Sequence, residues 1–277
     1  MSSKDTLSWG QGIDGLKSPV WPLLHVSILL FLTGPFKRLD ELLDELTSSM
    51  EMEGVIYNEP RKKVSNFIEI LRPLELLKRG EKIASYIPPI SSHEATPIEP
   101  LEALTAWIKQ CVLERELEDI NSLLCAPCNC VICCTGPEPG SKKELFEIPL
   151  DENELLLFDL PRHETLPDTL LEEDFVHSSP GIYHFAKGWR MILPRGSKCP
   201  QLSRDGRCAI YENRPIVCRK PQIFPYVIQK NERDDAFIKE EKLLAVWDCP
   251  YVRKLKEEII QYGQKCGLET IFMENKV

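Results

Sequence analysis

Apolar side chains recur at helical spacing through the first hundred residues of the chain. Two sets show this spacing: Leu39, Leu42, Leu43 and Leu46, then Val64, Phe67, Ile68 and Leu71. Residues three and four apart lie on one face of an α-helix, so each set predicts a helix with one buried side. Pro35, Pro60 and Pro73 interrupt the pattern and divide the region into several helices.

The most apolar run of the sequence extends from Val20 to Thr33 and contains Pro22 and His25. It is shorter than the ~20 residues that a helix needs to cross a bilayer. We therefore expect a buried helix and no membrane span. The first ten residues lack the basic start and apolar stretch of a signal peptide, which makes the cytoplasm the expected location.

A proline-rich segment, IPPISSHEATPIEP, separates the helical first part from the rest of the chain. Its prolines and polar residues are typical of a semi-rigid linker, and Pro100 is well placed to start a new helix through Trp107 and Leu117. We expect a helical region with this linker at residues 1–100 and a second domain at residues 101–277.

The second part alternates short helical and extended patterns. A helix is predicted around Asp151 to Leu157, and the alternation from Gly188 to Leu193 predicts a half-buried strand. Pro250 sits where a first-turn proline would open a last helix, from Tyr251 to about Lys265. The expected fold class is α+β and mainly helical: an irregular cysteine-rich domain with short strands and a carboxyl-terminal helix follows the helical region.

The charge balance argues against a nucleic-acid partner. The chain has 34 Lys and Arg against 43 Asp and Glu, a formal net charge of −9. A protein that neutralises phosphates needs a basic surface, so no nucleic acid is expected. Arg214, Arg219 and Lys220 form only a small local basic group.

Eleven cysteines are many for a chain of this kind, and five of them fall between Cys125 and Cys134. A secreted disulfide scaffold is normally short and spaces its cysteines along the whole chain, so this clustering favours metal binding. Two cysteines separated by two residues can turn both thiolates toward one ion. A tetrahedral zinc, two zincs and a four-cysteine cluster all remain open on this inventory.

A second set of cysteines can close the metal shell. The candidate ligands from both segments are Cys125, Cys128, Cys130, Cys133, Cys134, Cys199, Cys208, Cys218 and Cys249. Because Cys133 and Cys134 are adjacent, they point in different directions, and we expect one to face the main centre and the other a second metal or the core. Cys111 and Cys266 lie outside both segments and are interpreted as core or surface residues.

Residues around the cysteines have predicted supporting roles. Asp205-Gly206 predicts a tight turn that carries Cys199 and Cys208 back toward each other. Arg214 and Arg219 are the candidate cofactor-binding residues, because they would offset the negative charge of a thiolate-ligated centre. Ordinary surface pairing with acidic residues is the equally weighted alternative. His177 and His184 are less favoured as nitrogen ligands, since many cysteines compete.

The pattern GxGxxG at Gly10, Gly12 and Gly15 matches a dinucleotide-binding loop. No convincing strand precedes it, and Pro19 and Pro22 follow where the helix of such a loop should run. We therefore reject a nucleotide site there.

The cysteine segments resemble the YkgJ family of cysteine-cluster proteins, a zinc- or iron-chelating domain whose hallmark is CxxCxxCC followed by CPxLxxxGxCxIYxxRPxxCR. The second motif matches at Cys199-Pro200, Leu202, Gly206, Cys208, Ile210-Tyr211, Arg214-Pro215 and Cys218-Arg219. In the register of the first motif, Pro127 occupies the place of a cysteine, so Cys125 and Cys128 compete for that ligand position. The resemblance covers residues 125 to 250 and implies either an iron–sulfur cluster, with 4Fe–4S favoured, or zinc.

Three functions follow from these features. The first is a metal-binding cysteine-cluster protein that holds an iron–sulfur cluster or zinc. The flagellin lysine methylases carry a similar cysteine-rich region, so the second is a cluster-dependent lysine methyltransferase-like enzyme. In the third, zinc stabilises the carboxyl-terminal half and the helical first part binds an unidentified protein partner.

Overall fold

A computed structural model describes residues 3–83, 86–92, 96, 98–128, 130–138, 144–163, 179–186, 188–220, 222–231 and 236–274. The α-helices are α1 (Ser3–Lys17), α2 (Trp21–Thr33), α3 (Leu39–Glu45), α4 (Pro60–Ser65), α5 (Ile68–Leu71), α6 (Pro73–Lys78), α7 (Pro100–Cys128), α8 (Ile216–Arg219), α9 (Pro250–Lys254) and α10 (Lys256–Lys265). Short 3-10 helices span Ile132–Cys134, Glu152–Leu157 and Tyr211–Asn213.

The strands are β1 (Met50–Met52), β2 (Val55–Tyr57), β3 (Ile90–Ser91), β4 (Leu145–Leu150), β5 (Arg162–His163), β6 (Gly181–Phe185), β7 (Gly188–Pro194), β8 (Ile223–Lys230), β9 (Phe237–Val246) and β10 (Glu269–Met273). Strands β1 and β2 form a hairpin. One four-stranded sheet has β9 at its centre, and a second has the order β4-β7-β6-β5. The predicted α+β class, with a helical first region and a carboxyl-terminal helix, is confirmed.

The first apolar set forms α3, as predicted, whereas the second set is divided between α4 and α5, which are separated at Asn66 and Phe67. Pro60 and Pro73 lie in the first turns of α4 and α6. At that position the missing amide hydrogen costs no helical hydrogen bond, so these prolines start helices as well as separate them. The β1–β2 hairpin was not predicted, because its three-residue strands are too short to show a clear alternation.

The glycine pattern of the first helix serves close helix packing. A side chain at Gly12 would meet Leu124, and one at Gly15 would meet Ile120, both within 3 Å. Because glycine lacks a Cβ, α1 approaches α7 more closely than larger residues would permit. The rejection of a dinucleotide loop here agrees with this helix, since such a loop lies between a strand and a helix.

Helix α7 supplies hydrogen bonds to the free edge of β8. Gln110 donates to the carbonyl of Pro225 and accepts from the amides of Val227 and Ile228. Three turns further along, Asn121 donates to the carbonyl of Ile223 and accepts from its amide. Both carboxamides are buried. They replace a neighbouring strand, because buried backbone groups without partners would cost about 1–3 kcal/mol each.

The β9-centred sheet was not predicted from the sequence. Strand β8 pairs antiparallel with β9, whereas β10 and β3 pair parallel with it on the other side. Pro225 lies within β8, and its carbonyl faces α7, where it accepts from Gln110, and not β9. Proline is tolerated there because this side of β8 is an edge of the sheet. The predicted last helix is present in two pieces that meet at Leu255.

One buried apolar cluster contains residues from both sides of the predicted domain boundary, from Leu16 to Leu268. A smaller cluster fills the β4-β7-β6-β5 sheet, where Met191 and Leu193 point inward with the half-buried Trp189 as predicted for alternating residues. The division at residue 100 stays a prediction. No single helix in the described part of the chain is long and apolar enough to span a membrane; α1 and α2 pass that test only as a bent pair.

A carboxylate lies inside the helical region. Glu116 on α7 accepts hydrogen bonds from the amide of Val20 (2.8 Å) and the hydroxyl of Tyr262 (2.6 Å). Burial raises the pKa of Glu116 to about 7, although both hydrogen bonds favour its ionised form. This side chain therefore links α2, α7 and α10, although its removal from water disfavours the ionised carboxylate.

Replacement of Glu116 by glutamine should change how stability depends on pH. A carboxyl with a higher pKa in the folded than in the unfolded chain stabilises the fold only while protonated, so stability falls as pH rises from about 4.5 to about 7. We expect Glu116→Gln to be more stable than the parent chain at about pH 8, by at most about 3 kcal/mol, and the difference to shrink toward about pH 5. Denaturant unfolding at several pH values measures it.

The exposed carboxylate Glu45, at the end of α3, provides the matched control Glu45→Gln. A Glu116→Gln advantage that is the same at every pH would contradict the role given to its ionisation.

Candidate metal centre

The first cysteine segment begins in the last turn of α7 and continues into a 3-10 turn. Cys125 and Cys128 are one turn apart on the helix and pack against the main apolar cluster. Pro127 lacks the amide hydrogen that would bond to the carbonyl of Leu123, four residues earlier, and the hydroxyl of Ser8 on α1 donates to that carbonyl instead (3.0 Å). Cys133 and Cys134 follow in the 3-10 helix, where the amide of Cys134 donates to the carbonyl of Val131.

Backbone hydrogen bonds hold the second segment against the first. Thr135 and Lys198 form an antiparallel bridge, the amide of Cys199 donates to the carbonyl of Cys134 (2.8 Å), and the amide of Gly136 donates to the carbonyl of Ser197 (2.9 Å). Cys199 is thereby placed beside Cys134 although 65 positions separate them in the sequence.

The predicted turn between Cys199 and Cys208 is present. Leu202 and Cys208 form an antiparallel bridge, and Gly206 has φ +81°, a conformation that favours glycine. Asp205 accepts from the Ser203 hydroxyl, and so stabilises the turn. The turn returns Cys208 toward Cys199, as the sequence indicated.

Four thiols form one set of neighbours, which we call the motif group: Cys134, Cys199, Cys208 and Cys218. Burial, together with the neighbouring thiols of Cys199, Cys208 and Cys218, raises the pKa of Cys134 to about 12. Burial likewise raises the pKa of Cys218 to about 12, with Cys199 and Cys208 as contributors. These four sulfurs are close enough to repel one another when ionised, which is the situation that a bound cation relieves.

Three further thiols form a hydrogen-bonded chain, the junction group: Cys128, Cys130 and Cys249. Cys130 hydrogen-bonds with Cys128 on one side and with Cys249 on the other. The bond with Cys128 lowers the pKa of Cys130, but the bond with Cys249 and burial outweigh it and raise the pKa to about 11. Cys249 is buried and lies directly before the first residue of α9.

The other two candidate cysteines lie between the groups. Cys133 is near both Cys130 and Cys218, and Cys125 is near both Cys128 and Cys208. The side-chain amide of Gln222 donates to the sulfur of Cys133. Gln222 was not singled out in the sequence, because glutamine carries no motif signal of its own.

Asn121 and Tyr251 place Gln222 beside the cysteines. The backbone amide of Gln222 donates to both Asn121 Oδ1 and the Tyr251 hydroxyl. That hydroxyl in turn donates to Asn121 Oδ1 (2.8 Å). The same buried asparagine that closes the edge of β8 thus also fixes the chain next to Cys133. Neither residue was predicted as part of the site.

The two candidate arginines have different surroundings. Arg214 is 8% exposed, hydrogen-bonds with Cys125, and donates to the carbonyls of Tyr211 and Cys218 and to the Ser122 hydroxyl. Arg219 is more exposed and lies 3.6 Å from Glu118. Arg214 therefore lies where its charge can offset that of the thiolates. Arg219 instead pairs with an acidic residue near the surface, which was the alternative expected from the sequence.

The thiols are neighbours without yet surrounding a common point. Among the residues that the structure describes, no three Cys, His, Asp or Glu side chains stand in an arrangement able to hold an ion. Metal binding therefore requires side-chain rotations that bring the sulfurs together. His184 packs edge-on against Trp189, and His177 lies outside the described residues. Cys111 and Cys266 belong to neither group.

The donor set nevertheless suits a thiophilic metal. Backbone amides of Gln201 and Leu202 donate to the sulfur of Cys199, and those of Cys130 and Tyr251 donate to Cys128. Such donors stabilise a thiolate, and with Arg214 they supply the positive surroundings that a cluster of negative sulfurs needs.

A cleft of about 760 Å³ reaches the cysteines. It runs beside α7 and β8, with Trp107, Phe146, Phe224 and Tyr226 among its apolar walls. Cys133, from between the groups, and Cys218, from the motif group, form part of its surface. A molecule in this cleft would therefore lie next to the thiols.

The clustered thiols and the backbone bridges between their two segments form a cysteine-rich region with the ligand chemistry of a metal-chelating domain. Residues 124–250, less than half of the chain, match the family model described as "CxxCxxCC: Putative zinc- or iron-chelating domain". This match confirms the resemblance to a zinc- or iron-chelating cysteine domain over those residues, and the YkgJ name stays a prediction. No curated protein and no solved structure matches the chain.

Metal affinity should rise with pH. Burial holds the pKa values of the motif-group thiols Cys134, Cys199 and Cys218 above their ordinary range, so these thiols are protonated near neutral pH and must lose protons to bind a metal. For Zn²⁺ added to the reduced, metal-free chain, we expect the affinity to increase at least ~100-fold between about pH 6 and about pH 8. Competition with a chromophoric chelator measures it.

Cys111→Ser serves as the control and should follow the same pH dependence, since Cys111 belongs to neither group. An affinity that does not change over this range would mean that the binding thiols are already ionised.

Proposed function

We propose that this protein holds an iron–sulfur cluster, of the 4Fe–4S type, through thiolates of the two cysteine segments. The observation that carries the proposal is the convergence of Cys134, Cys199, Cys208 and Cys218 in one neighbourhood. Four thiolates are the usual ligand set of such clusters, and they also suit a tetrahedral zinc. The zinc- or iron-chelating family model that matches residues 124–250 supports both metals.

A bound cluster supplies one-electron chemistry. The residues of the chain then set its surroundings: amides of Gln201 and Leu202 hydrogen-bond to Cys199, and Arg214 offsets thiolate charge. The acidic balance of the whole chain makes such local positive partners more important, since further negative charge is costly. Partial burial of the sulfurs limits the access of water.

Metal analysis of protein prepared without oxygen tests the assignment. We expect iron and acid-labile sulfide in stoichiometric amounts, a brown colour, and visible absorption that bleaches on reduction. Cys208→Ser should lose most of this absorption, because it removes one of the four thiols, whereas Cys266→Ser should retain it. A colourless protein with bound zinc would mean that the thiols hold a structural zinc instead of a cluster. A protein without either metal would overturn the proposal.

A second candidate function, a cluster-dependent enzyme, is favoured by the cleft that reaches Cys133 and Cys218. The resemblance to flagellin lysine methylases suggests methyl transfer from S-adenosylmethionine to a protein lysine. In that reaction the methyl–sulfur bond breaks, a methyl–nitrogen bond forms at Nζ, and S-adenosylhomocysteine and a proton leave. The cleft has the size of a ligand site, since such sites span ~300–1,000 Å³.

Blocking the cleft tests this enzyme. Val217 lines it and is 39% exposed, so Val217→Trp should fill it, whereas Ile216→Trp adds the same ring to a neighbour of similar exposure outside the cleft. If the cluster-loaded chain forms S-adenosylhomocysteine with a lysine-rich acceptor, we expect Val217→Trp to lower the rate at least ~10-fold and Ile216→Trp to leave it unchanged. No turnover by the parent chain would remove this candidate.

A further inference from the structure

The cleft beside α7 has two chemically different ends. Gln110 bonds to the backbone of Val227, near the end of β8, whereas Asn121 bonds to that of Ile223, the first residue of the strand. Trp107, about one turn before Gln110, therefore lies at the end of the cleft that is remote from the thiols. With a rise of ~1.5 Å per residue, Trp107 and Asn121 are about 20 Å apart along the helix.

Aromatic rings line the cleft away from the thiols, and we call this part the aromatic end: Trp107, Phe224, Tyr226 and Phe237. The rings of Trp107 and Phe237 meet edge to face, with centroids 6.1 Å apart. Those of Phe224 and Tyr226 are tilted, with centroids 5.7 Å apart. Because aromatic rings attract one another in edge-to-face and offset arrangements, these walls favour a ligand that is itself an aromatic ring.

The carboxylates on the wall of the cleft all have cationic neighbours. Each forms an ion pair: Glu114 with Lys220, Glu118 with Arg219 and Glu147 with Arg190. Burial raises the pKa of Cys111, which lies between Trp107 and Glu114 on α7, to about 11, so this thiol is uncharged near neutral pH. Lys230 also lines the cleft and is exposed to water. A charged ligand would have to lose its water and compete with these ion pairs, whereas a neutral ligand does neither.

We propose that the aromatic end of the cleft binds an uncharged, planar aromatic molecule of the size of two fused rings. This site goes beyond the metal assignment and does not depend on it, because none of the four rings belongs to a candidate metal ligand. A molecule bound there lies in the same cleft as Cys133 and Cys218 but at its other end. The site can therefore be tested in the metal-free chain.

Binding of 2-naphthol to the reduced, metal-free full chain, measured by equilibrium dialysis, tests this site. 2-Naphthalenesulfonate and 2-naphthylmethylammonium carry the same two rings with a negative and a positive charge. We expect 2-naphthol to bind at least ~10-fold more tightly than either ion. Tyr226→Leu should weaken the binding of 2-naphthol at least ~5-fold because it removes a ring, and Tyr226→Phe should retain it. Tyr86 is exposed and lies outside the cleft, so the matched control Tyr86→Leu should bind as the parent chain does.

The contrary results are distinct from one another. No binding of 2-naphthol by the parent chain, or unchanged binding by Tyr226→Leu, would overturn the site. Equal or tighter binding of either ion would overturn the uncharged class of ligand, and for the cation it would support the lysine acceptor of the second candidate function. The metal analysis of the proposed function is independent of all these results.

Alkylation of the parent chain replaces the variant if Tyr226→Leu fails to fold by circular dichroism. Cys111 lies inside the cleft and Cys208 outside it. Saturating 2-naphthol should slow the reaction of iodoacetamide with Cys111 at least ~5-fold and leave the reaction with Cys208 unchanged, as mass spectrometry of the peptides measures. Equal alkylation of Cys111 with and without 2-naphthol would overturn the site.

Discussion

The site depends on the hydrogen bonds between side chains of α7 and the outer edge of β8. Gln110 and Asn121 satisfy backbone groups that the strand would otherwise bury without partners. Asn121 also accepts from the hydroxyl of Tyr251, in the first turn of α9, and from the backbone amide of Gln222, whose side chain contacts Cys133. One buried carboxamide thus fixes the end of α7, the start of β8 and the start of α9 relative to one another.

This arrangement explains how an acidic protein gathers so many sulfurs. In the metal-free state the buried thiols stay neutral, because burial disfavours the thiolate, so the assembled cysteines do not repel one another. Arg214 and the backbone amides become important only when metal replaces the thiol protons. Folding and metal binding are therefore separable steps for the bulk of this chain, whose main core does not contain the motif group.

Much of the fold followed from local patterns, and the exceptions share a physical cause. Local residue patterns predict helices α2 and α3, the start of α7 at Pro100 and the strand around Met191. Strands β9 and β10 escaped prediction because parallel pairing joins segments distant in sequence, and their side chains show no clean alternation. At the site, the turn at Gly206 was predictable from two residues, whereas Gln222 and Tyr251 matter only through contacts with distant partners.

The chemistry of the site could be predicted from residue types alone: the cysteine spacing, the Asp205-Gly206 turn and the motif from Cys199 to Cys218 indicate a zinc- or iron-chelating domain, which the family match over residues 124–250 supports. Which sulfurs are neighbours became visible only in the folded chain. Cys249 joins Cys130 because α9 packs on α7, and Cys199 joins Cys134 because a backbone bridge aligns their segments. Ligand type is a property of single residues, but proximity between distant residues arises from packing of the whole chain.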